Sequence, residues 1–336
     1  MKQSFNSIIF VCVAVLFSGC SETNKPLSVI EGVTMGTTYT VKISDRIDEE
    51  VELKTLIDQE LLKFNQVFSN YIPDSEISKF NRSKGAVVVS SSFRELLLLS
   101  EEVKNITGGA FDVSIGPLVD LWGFGPNAKT ETPPLPSQIE DLLENSDANP
   151  FKITPDFVYK AKETKLDFSG IAKGYAVDVV VASLEKRGLE NFFVEIGGEV
   201  KARGLSARGE PWNIGIEVPD RNERNIFNTV PLRNLAMATS GDYRNFFEFD
   251  GAFFPHIIRP DNGYPIDNRV GSVTVLHRSA ALADALATGL NAIGFESLSK
   301  ISNEKNLKVM AIIRRSGNYE VFSSEKYQEY VTSLNK

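Results

Sequence analysis

The apolar residues of this chain keep switching between the period of a strand and that of a helix, without settling into regular strand–helix–strand units. Tyr39, Val41 and Ile43 alternate with polar neighbours, which predicts a strand over 37–44. Leu53, Ile57, Leu61, Phe64 and Phe68 recur at helical spacing and predict an amphipathic helix over 49–69. Asp74-Ser75-Glu76 suits the start of a short helix ending near Asn81. Ser92 with Glu95 has capping-box spacing for a helix that stops at Gly108-Gly109. A Pro-rich loop over 126–136 precedes a second such pair, Ser137 and Glu140. Further strands are expected at 164–168, 192–196, 198–203, 212–218 and 270–277, with helices at 172–187 and 279–293. Gly188 is expected to end the first of these helices and Gly197-Gly198 to make a turn. A closing hairpin is expected from 308–313 and 319–322 about Ser316-Gly317-Asn318. Short strands mixed with long helices favour an α+β fold over a doubly wound sheet. No strong linker divides the chain, so residues 33–333 read as one domain behind a polar tether at 20–32.

The first residues differ from the rest. Lys2 precedes an apolar run from Ile8 to Phe17 that ends in Ser18-Gly19-Cys20. Such a run is too short for a membrane span of ~20 residues and fits a signal peptide over 1–19. Small residues before a cysteine resemble a bacterial lipobox, in which Cys20 becomes the lipid-bearing N-terminus; cleavage nearby with Cys20 incidental is the alternative. Cys12 and Cys20 are the only cysteines, so the mature body lacks a disulfide, a thiol nucleophile and zinc–thiolate chemistry. Formal charge is −8, and loss of residues 1–19 removes Lys2 and no acid, giving −9. No basic footprint for nucleic acid is visible. An acidic protein that binds a diphosphate needs a metal ion, a lysine or backbone amides to offset repulsion.

Three segments offer such groups. In Ala283-Asp284-Ala285-Leu286-Ala287-Thr288, Asp284 and Thr288 are four apart and share a helix face. Their hard oxygens suit magnesium, and the small neighbours admit another backbone closely. On spacing alone, a packed alanine-rich helix with a solvated aspartate is the commoner outcome. Asp167-Phe168-Ser169-Gly170-Ile171-Ala172-Lys173-Gly174 joins a turn to a helix start with a lysine in its first turn. That arrangement fits an anion site, and equally an ordinary tight turn. Of the two histidines, His256 lies in a loop beside aromatic residues and is the better general-base candidate, whereas His277 ends a strand.

Further motifs follow one order along the chain: Met35-Gly36-Thr37, then Asn70-Tyr71 with Asp74-Ser75-Glu76-Ile77, then Ala110-Phe111-Asp112 with Gly116-Pro117-Leu118 and Trp122-Gly123-Phe124. Next come Gly170-Ile171-Ala172-Lys173-Gly174-Tyr175-Ala176-Val177-Asp178 and Ile196-Gly197-Gly198. Ala238-Thr239-Ser240-Gly241-Asp242-Tyr243, His256-Ile257-Ile258 with Gly263-Tyr264-Pro265, and the segment 283–288 complete the series. Together these resemble the ApbE family, the FAD:protein FMN transferases formerly known as thiamine-biosynthesis lipoproteins, over about residues 30–325. Arg259 departs from the family, which commonly has Asp there.

The resemblance implies an α+β fold of mixed, largely antiparallel sheets with packed helices, related to the T-fold. It implies FAD contacts at Met35, Tyr71, Ala110, Phe111, Asp112, Lys173 and Ile258. It implies magnesium ligands at Asp284, Thr288 and the Gly170 carbonyl. The implied reaction moves FMN from FAD to a threonine or serine of an acceptor flavoprotein and releases AMP; for the base that takes the hydroxyl proton, His256 is the residue chosen from its loop setting. Water as nucleophile would instead make an FAD pyrophosphatase; a lipoprotein that only holds FAD is a third reading. Implied acceptors are flavin-bearing subunits of membrane redox complexes, met at a bacterial cell envelope by a lipid-anchored enzyme facing the periplasm.

Overall fold

Alternation within single strands decides the architecture, because both of their faces are apolar. Phe192, Val194 and Ile196 join one core while Phe193 joins another, so this strand must lie between two packed layers. In a computed structural model, described for residues 27–334 except 48, 127–131, 147–149, 162–163 and 317, a large sheet divides the body in that way. The expected signal peptide at 1–19, Cys20, most of the tether, the middle of the Pro-rich loop and the Gly317 turn lie outside the described residues.

In chain order come β1 (Ser28–Thr34), β2 (Thr37–Ile43), α1 (Glu50–Phe68), α2 (Glu76–Arg82), β3 (Gly85–Val87), α3 (Ser91–Ile106), α4 (Gly116–Leu121) and α5 (Pro136–Glu144). Then follow β4 (Phe151–Ile153), β5 (Val158–Lys160), α6 (Ala172–Lys186), β6 (Phe192–Ile196), β7 (Glu199–Arg203), β8 (Trp212–Glu217), β9 (Ile226–Leu232) and β10 (Leu235–Gly241). The rest is β11 (Phe246–Phe249), β12 (Ala252–Pro255), β13 (Val270–His277), α7 (Ala280–Ala292), α8 (Phe295–Glu304), β14 (Lys308–Arg315), β15 (Asn318–Ser323) and α9 (Glu325–Leu334). The main sheet runs β1-β2-β6-β7-β10-β13-β14-β15, and each neighbouring pair is antiparallel. This is an α+β fold.

One face of the sheet packs against α1, α3, α6 and α7, through residues such as Val41, Val194, Val275, Leu61, Leu97, Val180 and Leu286. The β8–β9 hairpin and α9 cover the other, through Trp212, Leu232 and Tyr327. A smaller aromatic layer gathers Trp122, Phe124, Phe247 and Phe254 around α4, α5 and the β11–β12 hairpin. Trp122 is 1% exposed and its Nε1 donates to the Gly263 carbonyl at 2.8 Å, so its polar edge is satisfied inside the layer.

The helix over 49–69 buries the five residues that its spacing selects. Elsewhere the structure corrects the sequence reading. Strand β1 begins at Ser28, inside the stretch read as tether; it buries one large apolar residue, Ile30, and so leaves little pattern. Its Gly32 faces the Tyr39 ring, where an added Cβ would lie 2.4 Å from Cε1. The cap of α3 is Ser90, which accepts from the Phe93 amide at 3.2 Å, rather than Ser92. At α5 the Gln138 side chain reaches back to the Leu135 amide at 2.9 Å, so Ser137 and Glu140 do not form the box. Residues 164–168 are not a strand beyond one bridge, Ile115 to Lys165. Their peptide groups pair another way: Asn81 accepts from the Leu166 amide at 2.7 Å and donates to its carbonyl at 2.9 Å, while the Asp167 amide donates to Val113 at 2.7 Å.

Candidate active site

Helices α6 and α7 touch closely because the residues between them are small. A Cβ on Gly174 would lie 2.2 Å from the Ala280 carbonyl oxygen and 2.8 Å from the Asp284 Cβ, a separation only glycine permits. Ala280, Ala281, Ala283, Ala285 and Ala287 are all buried, which explains the alanine run. Asp178 of α6 ties the start of α7, accepting from Ser279 Oγ at 2.8 Å and the Ala281 amide at 3.1 Å. Its other oxygen pairs with Lys201 at 2.7 Å. Asp284 therefore sits inside a locked contact, with Oδ2 accepting from the Gly174 amide at 3.0 Å. Burial pushes its carboxyl pKa up, against the opposing pull of Lys173 and that amide.

The Gly170 turn closes on the same helix. A Cβ there would meet Phe111 Cε2 and Thr288 Cγ2, each at 3.2 Å, and Thr288 Oγ1 at 3.4 Å. Phe111 is wedged beside α7, held by its amide donating to Thr107 Oγ1 at 3.1 Å. Three residues far apart in sequence, Phe111, Gly170 and Thr288, thus converge beside Asp284.

Lys173 enters from the first turn of α6. Its Nζ lies 2.7 Å from Glu199 Oε2, and Glu199 is 3% exposed. The Gly197 turn has φ +59° and presses on the lysine stem: a Cβ would lie 3.2 Å from Lys173 Cδ and 2.9 Å from Thr37 Cγ2. Thr37 follows the Met35-Gly36 turn between β1 and β2, whose two residues have φ +51° and +72°. Burial opposes the Lys173 charge, but Glu199 and Asp284 more than offset it and hold the pKa above the ordinary lysine value. Burial pushes Glu199 to about 7 against the pull of Lys173.

A second group forms around the aromatic layer. His256 donates its backbone amide to the Asn245 carbonyl at 3.1 Å and sets Nδ1 3.0 Å from the same oxygen. With Nδ1–H as donor to that carbonyl, Nε2 is the free acceptor of the neutral ring. Burial lowers the His256 pKa, the Asn245 contact opposes this, and the Lys173 charge lowers it further. Phe124 stands edge-on to the imidazole, with centroids 6.3 Å apart, and accepts at its carbonyl from the Tyr71 hydroxyl at 3.4 Å. Ile258 is buried in the Trp122 layer. Ala110 packs on Ile257 and Ile266. Asp112 binds Lys104 at 2.7 Å and accepts from the Ser114 amide at 2.8 Å. Arg259 pairs with Asp261. His277 accepts the Ser279 amide on Nδ1 at 3.0 Å, just before α7.

Glu199, Asp178 and Gly174 escaped the sequence reading as site residues. Asp178 and Gly174 stand inside the Gly-Ile-Ala-Lys-Gly-Tyr-Ala-Val-Asp motif, which carried the signal; nothing local marks Glu199, because its role arises only when β7 meets α6. Among the described residues no cluster of three or more His, Cys, Asp or Glu side chains forms a metal cage. The donors at Asp284, Thr288 and the Gly170 turn are nevertheless all hard oxygens. Two buried acids, Asp284 and Glu199, face the single charge of Lys173. This set fits a small divalent cation.

The sequence matches the ApbE family model over residues 35–313. That span includes every converging residue described above. This chain belongs to the ApbE family. ApbE relatives include a FAD:protein FMN transferase of Vibrio cholerae, 36% identical over 97% of this chain and 99% of its own length. One of Haemophilus influenzae is 37% identical over 98% of both chains. The fold is similar to a solved flavin transferase ApbE of Vibrio cholerae, with TM-score 0.84, 37% identity, 90% of this chain and 99% of the other covered. A Pseudomonas stutzeri flavinyl transferase ApbE gives TM-score 0.83 at 33% identity, covering 91% of this chain and 97% of the other.

Proposed function

We propose that this chain transfers FMN from FAD to a threonine or serine of an acceptor protein and releases AMP. The observation that carries the reading is the approach of Asp284, Thr288, the Gly170 turn and the start of α6 with Lys173 where α6 meets α7, in a chain whose near full-length relatives are named FAD:protein FMN transferases. The acceptor hydroxyl oxygen attacks the FMN-side phosphorus. The bond from that phosphorus to the bridging oxygen breaks, and AMP leaves with the electron pair. His256, neutral because burial disfavours its charge, takes the hydroxyl proton on Nε2. Lys173 holds pyrophosphate oxygens. Met35, Tyr71, Ala110, Phe111, Asp112 and Ile258 frame the flavin nucleotide. Asp284, Thr288 and the Gly170 carbonyl would hold magnesium, which supplies charge neutralisation at the pyrophosphate.

Lipid on Cys20 would tether the enzyme to a bacterial envelope membrane, facing the periplasm. Acceptors there would be flavin-bearing subunits of membrane redox complexes. The test incubates protein, FAD, magnesium and an acceptor flavoprotein, followed by intact mass of the acceptor. A covalent FMN adduct with AMP release is expected. FMN and AMP appearing without an adduct would give the hydrolase reading instead.

A further inference from the structure

Glu199 is buried at the head of β7, with the Lys173 ammonium 2.7 Å from its Oε2. The residue after Lys173 is Gly174, whose amide occupies Oδ2 of Asp284. The lysine is thus paired with one buried carboxylate, directly precedes in the chain the residue whose amide binds the other, and has its stem confined by Gly197. Both acids act on its charge, Glu199 more strongly than Asp284. The ammonium is only partly exposed and favours a paired anion; without Glu199 the acids left acting on it are Asp284 first and Glu195 second.

We propose that Glu199 keeps the Lys173 ammonium off the Asp284 carboxylate, leaving that carboxylate open to a divalent cation. This rests on the metal assignment made under the proposed function. Glu199 is then a positioning residue acting through Lys173. It explains why a diphosphate site in an acidic protein carries a buried acid beside its lysine, an arrangement that would otherwise only repel the substrate.

The test is Mn2+ binding to the full-length protein without FAD, followed by the paramagnetic resonance of free Mn2+, with Mg2+ as competitor. Glu199→Gln is expected to weaken Mn2+ binding about tenfold, the scale of losing a group that orients a ligand. Adding Lys173→Met to that variant should restore affinity toward wild type, because the competing ammonium is gone. Glu199→Asp, which keeps the charge, should bind Mn2+ more tightly than Glu199→Gln and melt at a similar temperature. Unchanged affinity in Glu199→Gln overturns the proposal. So does a double variant as weak as the single one, which would mean that Glu199 acts by something other than the lysine. Asp284→Ala separates the two levels: wild-type Mn2+ affinity there would place the cation elsewhere and remove the metal assignment together with this inference.

Discussion

The amide of Gly174 donates to Oδ2 of Asp284 across 3.0 Å, so the backbone of one helix orients the carboxylate of the next. The bond exists because glycine lets α6 approach the Ala280 carbonyl more closely than any side chain would.

Gly174→Ala should accordingly push the helices apart. The expected cost is about 3 kcal/mol, the upper part of the usual range for overpacking a core, with loss of FMN transfer in whatever protein remains folded. Urea unfolding measures the first and an acceptor-mass assay the second. A variant within about 0.5 kcal/mol of wild type, the scale of an ordinary surface change, would show that the contact is slack.

His256→Ala should lower the transfer rate by ~10²–10⁴, the usual worth of a general base, with little change in FAD affinity. Burial shifts this histidine below its ordinary value of 6.5. The neutral base is thus retained as pH falls past 6.5, and the acid limb of the wild-type rate should have its midpoint below that value. The same shift means the unfolded chain binds the proton first. The stability from keeping the ring neutral is present above 6.5 and is lost as pH falls through the folded pKa. A single-turnover pH profile for both proteins is decisive. An unchanged rate in His256→Ala would assign the proton to another group.

Asn81→Ala should remove the side chain that pairs both the amide and the carbonyl of Leu166. Unpaired buried groups cost about 1–3 kcal/mol each. The loop they anchor runs to Gly170, so activity should fall with stability. Hydrogen exchange at the Leu166 amide reads the clamp directly, and unchanged protection there would count against it.

Much of this was visible in the residues. The helical spacing from Leu53 to Phe68 and the alternation around Tyr39 read correctly because one face of each element meets the core. The pair Asp284 and Thr288 was legible as a helix face, and the ordered motifs gave the family. What stayed hidden depends on tertiary pairing. Residues 164–168 read as a strand until the side chain of Asn81 took the place of a neighbouring strand. The strands from 226 to 255 gave no clean alternation, since β9 buries only Val230 and Leu232, and β11 and β12 leave most of their length partly exposed. Glu199 could not be found locally, because a buried acid is recognised only by the lysine it meets.

Cys20→Ala should leave the protein uncleaved or soluble if Cys20 carries the proposed lipid. Membrane fractionation with N-terminal analysis decides this. A variant that is cleaved and still sediments with membranes as wild type does would remove the lipid anchor.

The proposed site draws on the turn at Met35, on Lys173 and Glu199 in the middle of the chain, and on Asp284 and Thr288 nearer its end. Helix α7 is seated by β10 and β13, which pair only after residue 277 is available. Because a ribosome delivers these parts in order, long-range pairing must wait for the last of them. An unfinished chain holds Lys173 and Glu199 without Asp284 and Thr288, so the proposed site is assembled only once α7 has been made.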